Sequence, residues 1–337
     1  MKDPVYDEYE GLDLVAALVR DGKLKMAEDE LAKYKAPSER RSEVTGRLQF
    51  AKGEMKKAIT AFQAMKPSPL RALYLARSHY ALKDLGAAHT QFQLSQQEWT
   101  NLESDVIARA ACSFFAKESD AALAALENGY KKFHSFALAR EKVALLLELG
   151  LAKTALEYSL ALPTEPSVTE SLALADLFYQ RGEATAALQI LEWTRLRYPE
   201  DVETQVSLAK AYFDRGSLRS TAEAFERAAI LDGQYAYHAA EIQRQVGNPQ
   251  RARFWIPQIR EAKDQLRSKI ALNVDLSQYT QMAALDAVVS TSPLIEDEEV
   301  RYALGYSLAR LGQRARALKY LSGLKGEKAT RVRESLK

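Results

Sequence analysis

Apolar residues recur every three or four positions between residues 167 and 200, in two runs separated by a short polar interruption. This spacing places apolar side chains on one face of a helix, so each run predicts one amphipathic helix. A small residue on the contact face of each helix allows the two helices to approach closely, and large side chains fill the space around the contact. The first run carries Leu174, Ala175 and Phe178, and the second carries Ala187 and Leu191.

A glycine and a proline set the ends of these two helices. Gly182 lies between the runs, where glycine can adopt the positive φ that ends a helix. Pro199 follows the second run and cannot continue it. The stretch therefore predicts one helical hairpin.

The same pattern recurs along the whole chain. Adjacent hinge glycines lie 31 to 34 residues apart, and two longer gaps leave room for hairpins without a glycine, such as the one turning near Lys83 and Asp84. The spacing predicts about ten helical hairpins, with few strands or none. The hinge glycines are Gly22, Gly53, Gly150, Gly182, Gly216, Gly247 and Gly312.

Each unit resembles the tetratricopeptide repeat, a 34-residue helix–turn–helix. The resemblance implies an all-α, right-handed superhelical solenoid, in which hairpins stack and their first helices line an inner groove. Residues 167–200 depart from the family at Ser171, where Trp is common, and at Thr194, where Ala is usual. The positions that match are Leu174, Ala175, Phe178, Gly182, Ala187 and Pro199.

The repeats extend over residues 1–337 and predict a single solenoid. Pro257 falls in the second helix of the eighth hairpin, so that helix either kinks or ends early. Together with the weak pattern of the ninth hairpin, Pro257 predicts a change of superhelical path near residues 250–290. The charged tail, residues 325–337, predicts a polar cap over the last apolar face.

Composition supports the helical interpretation and narrows the function. Ala, Leu, Glu, Lys, Arg and Gln dominate, as in helices. The net charge is only +2, so nucleic acid is not expected as a partner.

No apolar run is long enough to predict a membrane span. The N-terminal sequence has no signal-peptide pattern, which favours the cytoplasm; if Met1 follows a removed targeting segment, the periplasm or another compartment is open.

The sequence lacks the motifs of common catalytic sites. It contains no phosphate-binding loop, no GxGxxG turn, no HExxH and no GxSxG. The four histidines show no metal-ligand spacing, and Cys112, the only cysteine, is predicted to be a small buried residue. We therefore predict no enzyme, no cofactor and no metal. One enzymatic alternative stays open, in which a catalytic domain lies outside this chain.

One row of the predicted groove is rich in aromatic residues. The twelfth repeat position is aromatic in five of six successive hairpins, and the ninth is often Arg or Lys. Rings supply contact area for a peptide, and cations pair with its carboxylates or carbonyls. The row predicts a site for a protein or peptide partner, unless the rings pack between neighbouring helices. The predicted site residues are Arg47, Phe50, Arg77, Tyr80, Phe114, Tyr179, Lys210 and Phe213.

These patterns predict a protein-interaction scaffold or adaptor that holds a partner segment in its concave groove. A chaperone-like assembly factor for a secretion or surface machinery is one alternative. Nucleic-acid or anionic-surface binding through a basic C-terminal region is another. Self-association through terminal repeats is open as well. The basic residues are Arg310, Arg314, Arg316, Lys319, Lys325, Lys328, Arg331 and Arg333.

Overall fold

The computed structural model describes residues 4–95 and 102–336, which form α-helices and short turns with no strand among them. The chain divides into two compact units, Met1–Glu165 (unit 1) and Pro166–Lys337 (unit 2). Each unit contains five helical hairpins, and in each hairpin the first helix packs against the second.

In unit 1 the hairpins follow one another without interruption by other elements. Their first helices are α1 (Pro4–Arg20), α3 (Glu39–Ala51), α5 (Pro69–Ala81), α7 (Glu103–Phe115) and α9 (Phe136–Glu148). Their second helices are α2 (Leu24–Leu31), α4 (Met55–Gln63), α6 (Leu85–Leu94), α8 (Ser119–Phe133) and α10 (Ala152–Leu160).

Unit 2 continues the pattern and adds a C-terminal helix, α22 (Glu327–Ser335). Its first helices are α11 (Val168–Gln180), α13 (Val202–Asp214), α15 (Ala236–Gln245), α17 (Ala262–Asp275) and α20 (Glu298–Arg310). Its second helices are α12 (Ala184–Arg197), α14 (Leu218–Leu231), α16 (Pro249–Trp255), α18 (Tyr279–Ala284) followed by α19 (Asp286–Val289), and α21 (Arg314–Leu321).

Each of the ten hairpins turns at one residue with positive φ. The seven predicted glycines all adopt this conformation. Lys83 (φ 64°), Lys117 (φ 65°) and Ser277 (φ 54°) take the same place in the hairpins that lack a glycine. The left-handed conformation costs a residue with a side chain about 1 kcal/mol. The prediction of an all-α chain of about ten tetratricopeptide-like hairpins is confirmed.

Small residues bring the two helices of a hairpin together. A Cβ added at Gly46 would lie 2.3 Å from the ring of Phe62, and one added at Gly305 would lie 2.6 Å from Leu321. These glycines are required because the facing helix carries a large buried side chain at the point of closest approach.

The eighth hairpin ends its second helix early. The α-helical part of α16 stops at Trp255 and passes into a 3-10 turn, Ile256–Gln258, that contains Pro257. Of the two alternatives for Pro257, the structure shows the early end of the helix and not a kink within it. Trp255 is buried, and its indole N–H donates to Glu226 at 2.7 Å, which connects α16 to α14.

Helix α22 packs against α20 and α21, with Ala329 buried beside Leu321 and Leu324. The predicted solenoid over residues 1–337 and the predicted change of path near 250–290 stay predictions.

Candidate partner-binding groove

Three of the first helices of unit 2 line a cavity of about 820 Å³, here called the tyrosine cavity. Helices α15, α17 and α20 supply most of its lining residues, and α22 contributes Lys328 and Ala329. Four tyrosines line the cavity together with two arginines: Tyr237, Tyr279, Tyr302, Tyr306, Arg244 and Arg267.

Three of the four tyrosine rings pack against one another. Tyr306 lies between two of the others, with ring centroids 5.9 Å from Tyr279 in an edge-to-face arrangement and 6.0 Å from Tyr302 in a stacked one. The guanidinium of Arg310 lies 5.5 Å from the Tyr279 ring centroid. Aromatic pairs at these distances and angles attract one another, so the three rings support each other's positions in the cavity wall.

The tyrosine hydroxyls are free to bond a partner. Within the described ranges, none of the four makes a hydrogen bond to another side chain or to the backbone. Burial raises the pKa of Tyr237 and of Tyr302 above its ordinary value of 10.0. The hydroxyls of Tyr237 and Tyr302 therefore stay protonated at neutral pH. Each tyrosine hydroxyl can donate one hydrogen bond and accept others.

Helix geometry explains why Tyr302 and Tyr306 face the cavity. They are four residues apart and so share one face of α20. Leu304 lies on the opposite face and is fully buried, and Gly305, on the side of the helix between them, is buried where it abuts Leu321 of α21. Burial of one face against α21 leaves the other face with its tyrosines toward the cavity.

Two ion-paired arginines brace the cavity wall. Arg267 donates to Asp297 at 2.8 Å, and Arg244 donates to Asp275 at 2.6 Å and to Glu241 at 3.0 Å. The hydrogen bond from Arg267 holds the pKa of Asp297 below its usual value of 3.8. These pairs connect α15 to α17, and α17 to the start of α20.

A second cavity, of about 380 Å³, adjoins the first. It lies between α13 and α15, and it shares Tyr237 and Glu241 with the tyrosine cavity. Two of the predicted site residues, Lys210 and Phe213, line it. The two cavities therefore follow one another along the first helices of unit 2, and we call them together the unit 2 groove.

The second cavity is also lined by His238. It stacks on Phe225 with centroids 5.1 Å apart and meets Tyr237 edge to face at 5.6 Å. Burial, and then the charge of Lys210, lower the pKa of His238 below 6.5. The imidazole is therefore neutral at pH 7 and adds an aromatic face rather than a charge.

The predicted site residues of unit 1 have a different setting. Phe50, Tyr80 and Phe114 are half-buried, and each packs against an apolar cluster. Arg77 donates to the buried Asp105 through two bonds, at 2.7 and 2.5 Å, and Arg47 lies 3.4 Å from Glu43.

The predicted residues of unit 2 are more open. Tyr179 is 47% exposed and Phe213 is 52% exposed, and Lys210 is exposed as well. The hydroxyl of Tyr179 donates to Asp214 at 2.5 Å, which joins α11 to α13. Binding at any of the eight predicted residues stays a prediction.

Sequence reasoning missed the tyrosine cavity. Tyr237 and Tyr302 occupy the fifth repeat position, and Tyr306 occupies the ninth, in hairpins that follow the last one considered for the aromatic row. The signal was present, because the repeat frame places the fifth position, like the ninth and the twelfth, on the groove side of the first helix. Examining the fifth and ninth positions of the eighth and tenth hairpins finds these three residues.

The basic C-terminal residues are partly engaged within the chain. Arg316 pairs with Asp286, and Arg331 pairs with Glu327. Arg333 donates to the backbone carbonyl of Leu321 at 3.2 Å. Lys325 and Lys328 are exposed.

The described residues contain neither a group of three His, Cys, Asp or Glu side chains suited to a metal ion nor a helix long and apolar enough to cross a membrane. Cys112 is fully buried, and burial raises the pKa of its thiol to about 11.

No protein-family model and no curated protein matches this chain. Among solved structures, the human IFIT1 dimer with m7Gppp-AAAA is similar at 14% identity and a TM-score of 0.31, over 95% of this chain and 88% of that chain. A tetratricopeptide repeat protein from Parabacteroides merdae is similar at 12% identity and a TM-score of 0.34, over 71% of this chain and 98% of that chain. Identities and TM-scores this low give no information about function. The evidence for the repeat fold is the positive-φ hinges and the packed helix pairs.

Proposed function

We propose that this chain is a protein-interaction scaffold that binds an extended or helical segment of a partner in the unit 2 groove. The observation that carries the proposal is the sharing of Tyr237 and Glu241 by two adjoining cavities. A segment lying along α13, α15, α17 and α20 can place side chains in both cavities at once.

The chemistry of the groove suits a peptide. Its larger cavity has a volume typical of sites that enclose a ligand or several side chains. Tyrosine rings provide large contact areas at low conformational entropy, and their free hydroxyls can bond the N–H and C=O groups of a peptide backbone. Ion pairing of Arg244 and Arg267 holds the wall rigid, which lowers the entropy lost on binding.

We propose binding, without catalysis, as the role of these residues. The neutral His238 is enclosed by aromatic rings, and Tyr237 and Tyr302, whose pKa values burial raises, keep their protons at neutral pH. Both arrangements favour contact and hydrogen bonding over proton transfer.

The test is a selection of short peptides from a random phage-displayed library on the full chain. Selected peptides are then synthesised, and their affinities are measured by calorimetry for the wild type and for the variant Tyr302→Ala/Tyr306→Ala. We expect the variant to bind about 30-fold more weakly, because two central aromatic anchors are lost.

A matched control removes two exposed apolar side chains from second helices, Leu196→Ala/Ile230→Ala. This control should bind the selected peptides with wild-type affinity, and circular dichroism should show both variants folded. Failure to select any peptide, or equal binding by all three proteins, would contradict the proposal.

A further inference from the structure

Two carboxylates face the tyrosine cavity without a partner inside the described part of the chain. Glu298 and Glu299 begin α20, line the cavity and are exposed. They are not needed to cap the helix, because Asp297 already accepts bonds from the backbone N–H groups of Glu299, at 3.0 Å, and Val300, at 3.3 Å. Their charges are therefore available to a ligand.

One of these carboxylates, Glu298, and two of the tyrosines form a stripe along α20. Glu298, Tyr302 and Tyr306 follow at intervals of four residues, which places them one above the other on the same helix face. A carboxylate thus stands beside two stacked rings along a single wall of the cavity.

The remaining charges of the cavity largely cancel. Arg267 and Arg244 are each paired with acidic residues, as described above. Against the two unpaired carboxylates, the residues that line the cavity include one exposed cation without an ion-pair partner in the described ranges, Lys328, and Arg310 lies at the edge of the cavity over the Tyr279 ring. The cavity therefore carries an excess of negative charge beside aromatic faces, and Arg310 over Tyr279 shows that one of these rings already accepts a guanidinium.

We propose that the tyrosine cavity selects partner segments that present an arginine or lysine side chain. The cation rests on the rings of Tyr302 and Tyr306 and pairs with Glu298 or Glu299, combining cation–π attraction with a charge-assisted hydrogen bond. This inference rests on the proposed function, since it names the chemistry of the segment that the groove holds. The phosphates of a nucleic acid would meet the same carboxylates and be repelled.

The experiment uses peptides selected on the full chain, resynthesised with citrulline in place of arginine or norleucine in place of lysine. The neutral analogues should bind the wild type about tenfold more weakly. On Glu298→Gln/Glu299→Gln, this penalty should fall to about twofold, because the cation has lost its carboxylate partners. Glu296→Gln, a neighbouring exposed carboxylate outside the cavity lining, should retain the tenfold penalty.

A second readout needs no variant. Added salt should weaken wild-type binding of the cationic peptide more than binding of its neutral analogue, because salt screens the charge pair. Peptides that bind through Tyr302 and Tyr306 but show no arginine or lysine preference would overturn this inference and leave the proposed function standing. If no peptide binds at all, both fail.

Discussion

The two units place the same repeat position in different environments. In unit 1, Phe50 at the twelfth position packs against a cluster that includes Leu75 of the next hairpin. At the ninth position of the same unit, Arg77 pairs with Asp105. In unit 2, Phe213 at that position is half exposed beside a cavity. The position in a repeat thus determines which way a side chain points, while the neighbouring hairpin determines whether it is covered.

The largest expected effect concerns Arg77. Replacing it with alanine leaves the carboxylate of Asp105 buried without its partner, so Arg77→Ala should lower the free energy of unfolding by about 3 kcal/mol. Urea denaturation measures the change. Arg140→Ala, which removes an exposed arginine from the same unit, should change stability by no more than about 0.5 kcal/mol. A stable Arg77→Ala variant with weakened partner binding would contradict the structural role.

A matched pair tests the comparison at the twelfth position itself. Phe50→Ala should lower the free energy of unfolding by about 2 kcal/mol, because a half-buried ring leaves its apolar cluster. Phe213→Ala should lower it by about 0.5 kcal/mol or less, because about half of that residue is already exposed to water. Equal losses in the two variants would show that the units do not differ as described.

A smaller effect is expected at the rim of the tyrosine cavity. Asp297→Ala removes the cap of α20 and the partner of Arg267, and should cost about 1 kcal/mol at pH 7. Because the folded-state pKa of Asp297 lies below 3.8, its contribution is fully present above that pH and is lost as the pH falls through the lower folded value. The stability difference between wild type and variant should therefore shrink in acid; a constant difference would point to a role other than the carboxylate's charge.

The hinges should respond alike in both units. Lys83→Gly in unit 1 and Ser277→Gly in unit 2 relieve a left-handed conformation, and each should raise the free energy of unfolding by about 0.5 to 1 kcal/mol. Gly182→Ala should have the opposite sign. Thermal unfolding measures all three. If Lys83→Gly or Ser277→Gly lowers the free energy of unfolding, the side chain that was removed makes a contact that outweighs the backbone strain.

The hinges also show how far sequence reasoning reaches. Seven of them are glycines, and their spacing predicts the hairpins directly. Lys83, Lys117 and Ser277 adopt the same positive φ, although nothing in a lysine or serine indicates it. Only the regular spacing of the flanking glycines locates those turns.

The groove was harder to predict because exposure depends on side chains from other hairpins. Phe50 and Phe213 are the same residue type at the same repeat position, and only the packing of the next hairpin distinguishes them. Tyr306 is identified as a groove residue by its repeat position. Its place between Tyr279 and Tyr302 follows from the way the ninth and tenth hairpins pack, which the weak pattern of the ninth hairpin does not indicate.

Site-specific photo-cross-linking tests the central claim most directly. A benzophenone amino acid replaces either Tyr302, in the unit 2 groove, or Tyr80, which packs against an apolar cluster in unit 1. After irradiation in cells, cross-linked partners are identified by mass spectrometry. If the unit 2 groove binds the partner, one defined partner segment should be attached at position 302 and none at position 80. A partner attached at position 80 but not at 302 would contradict the claim.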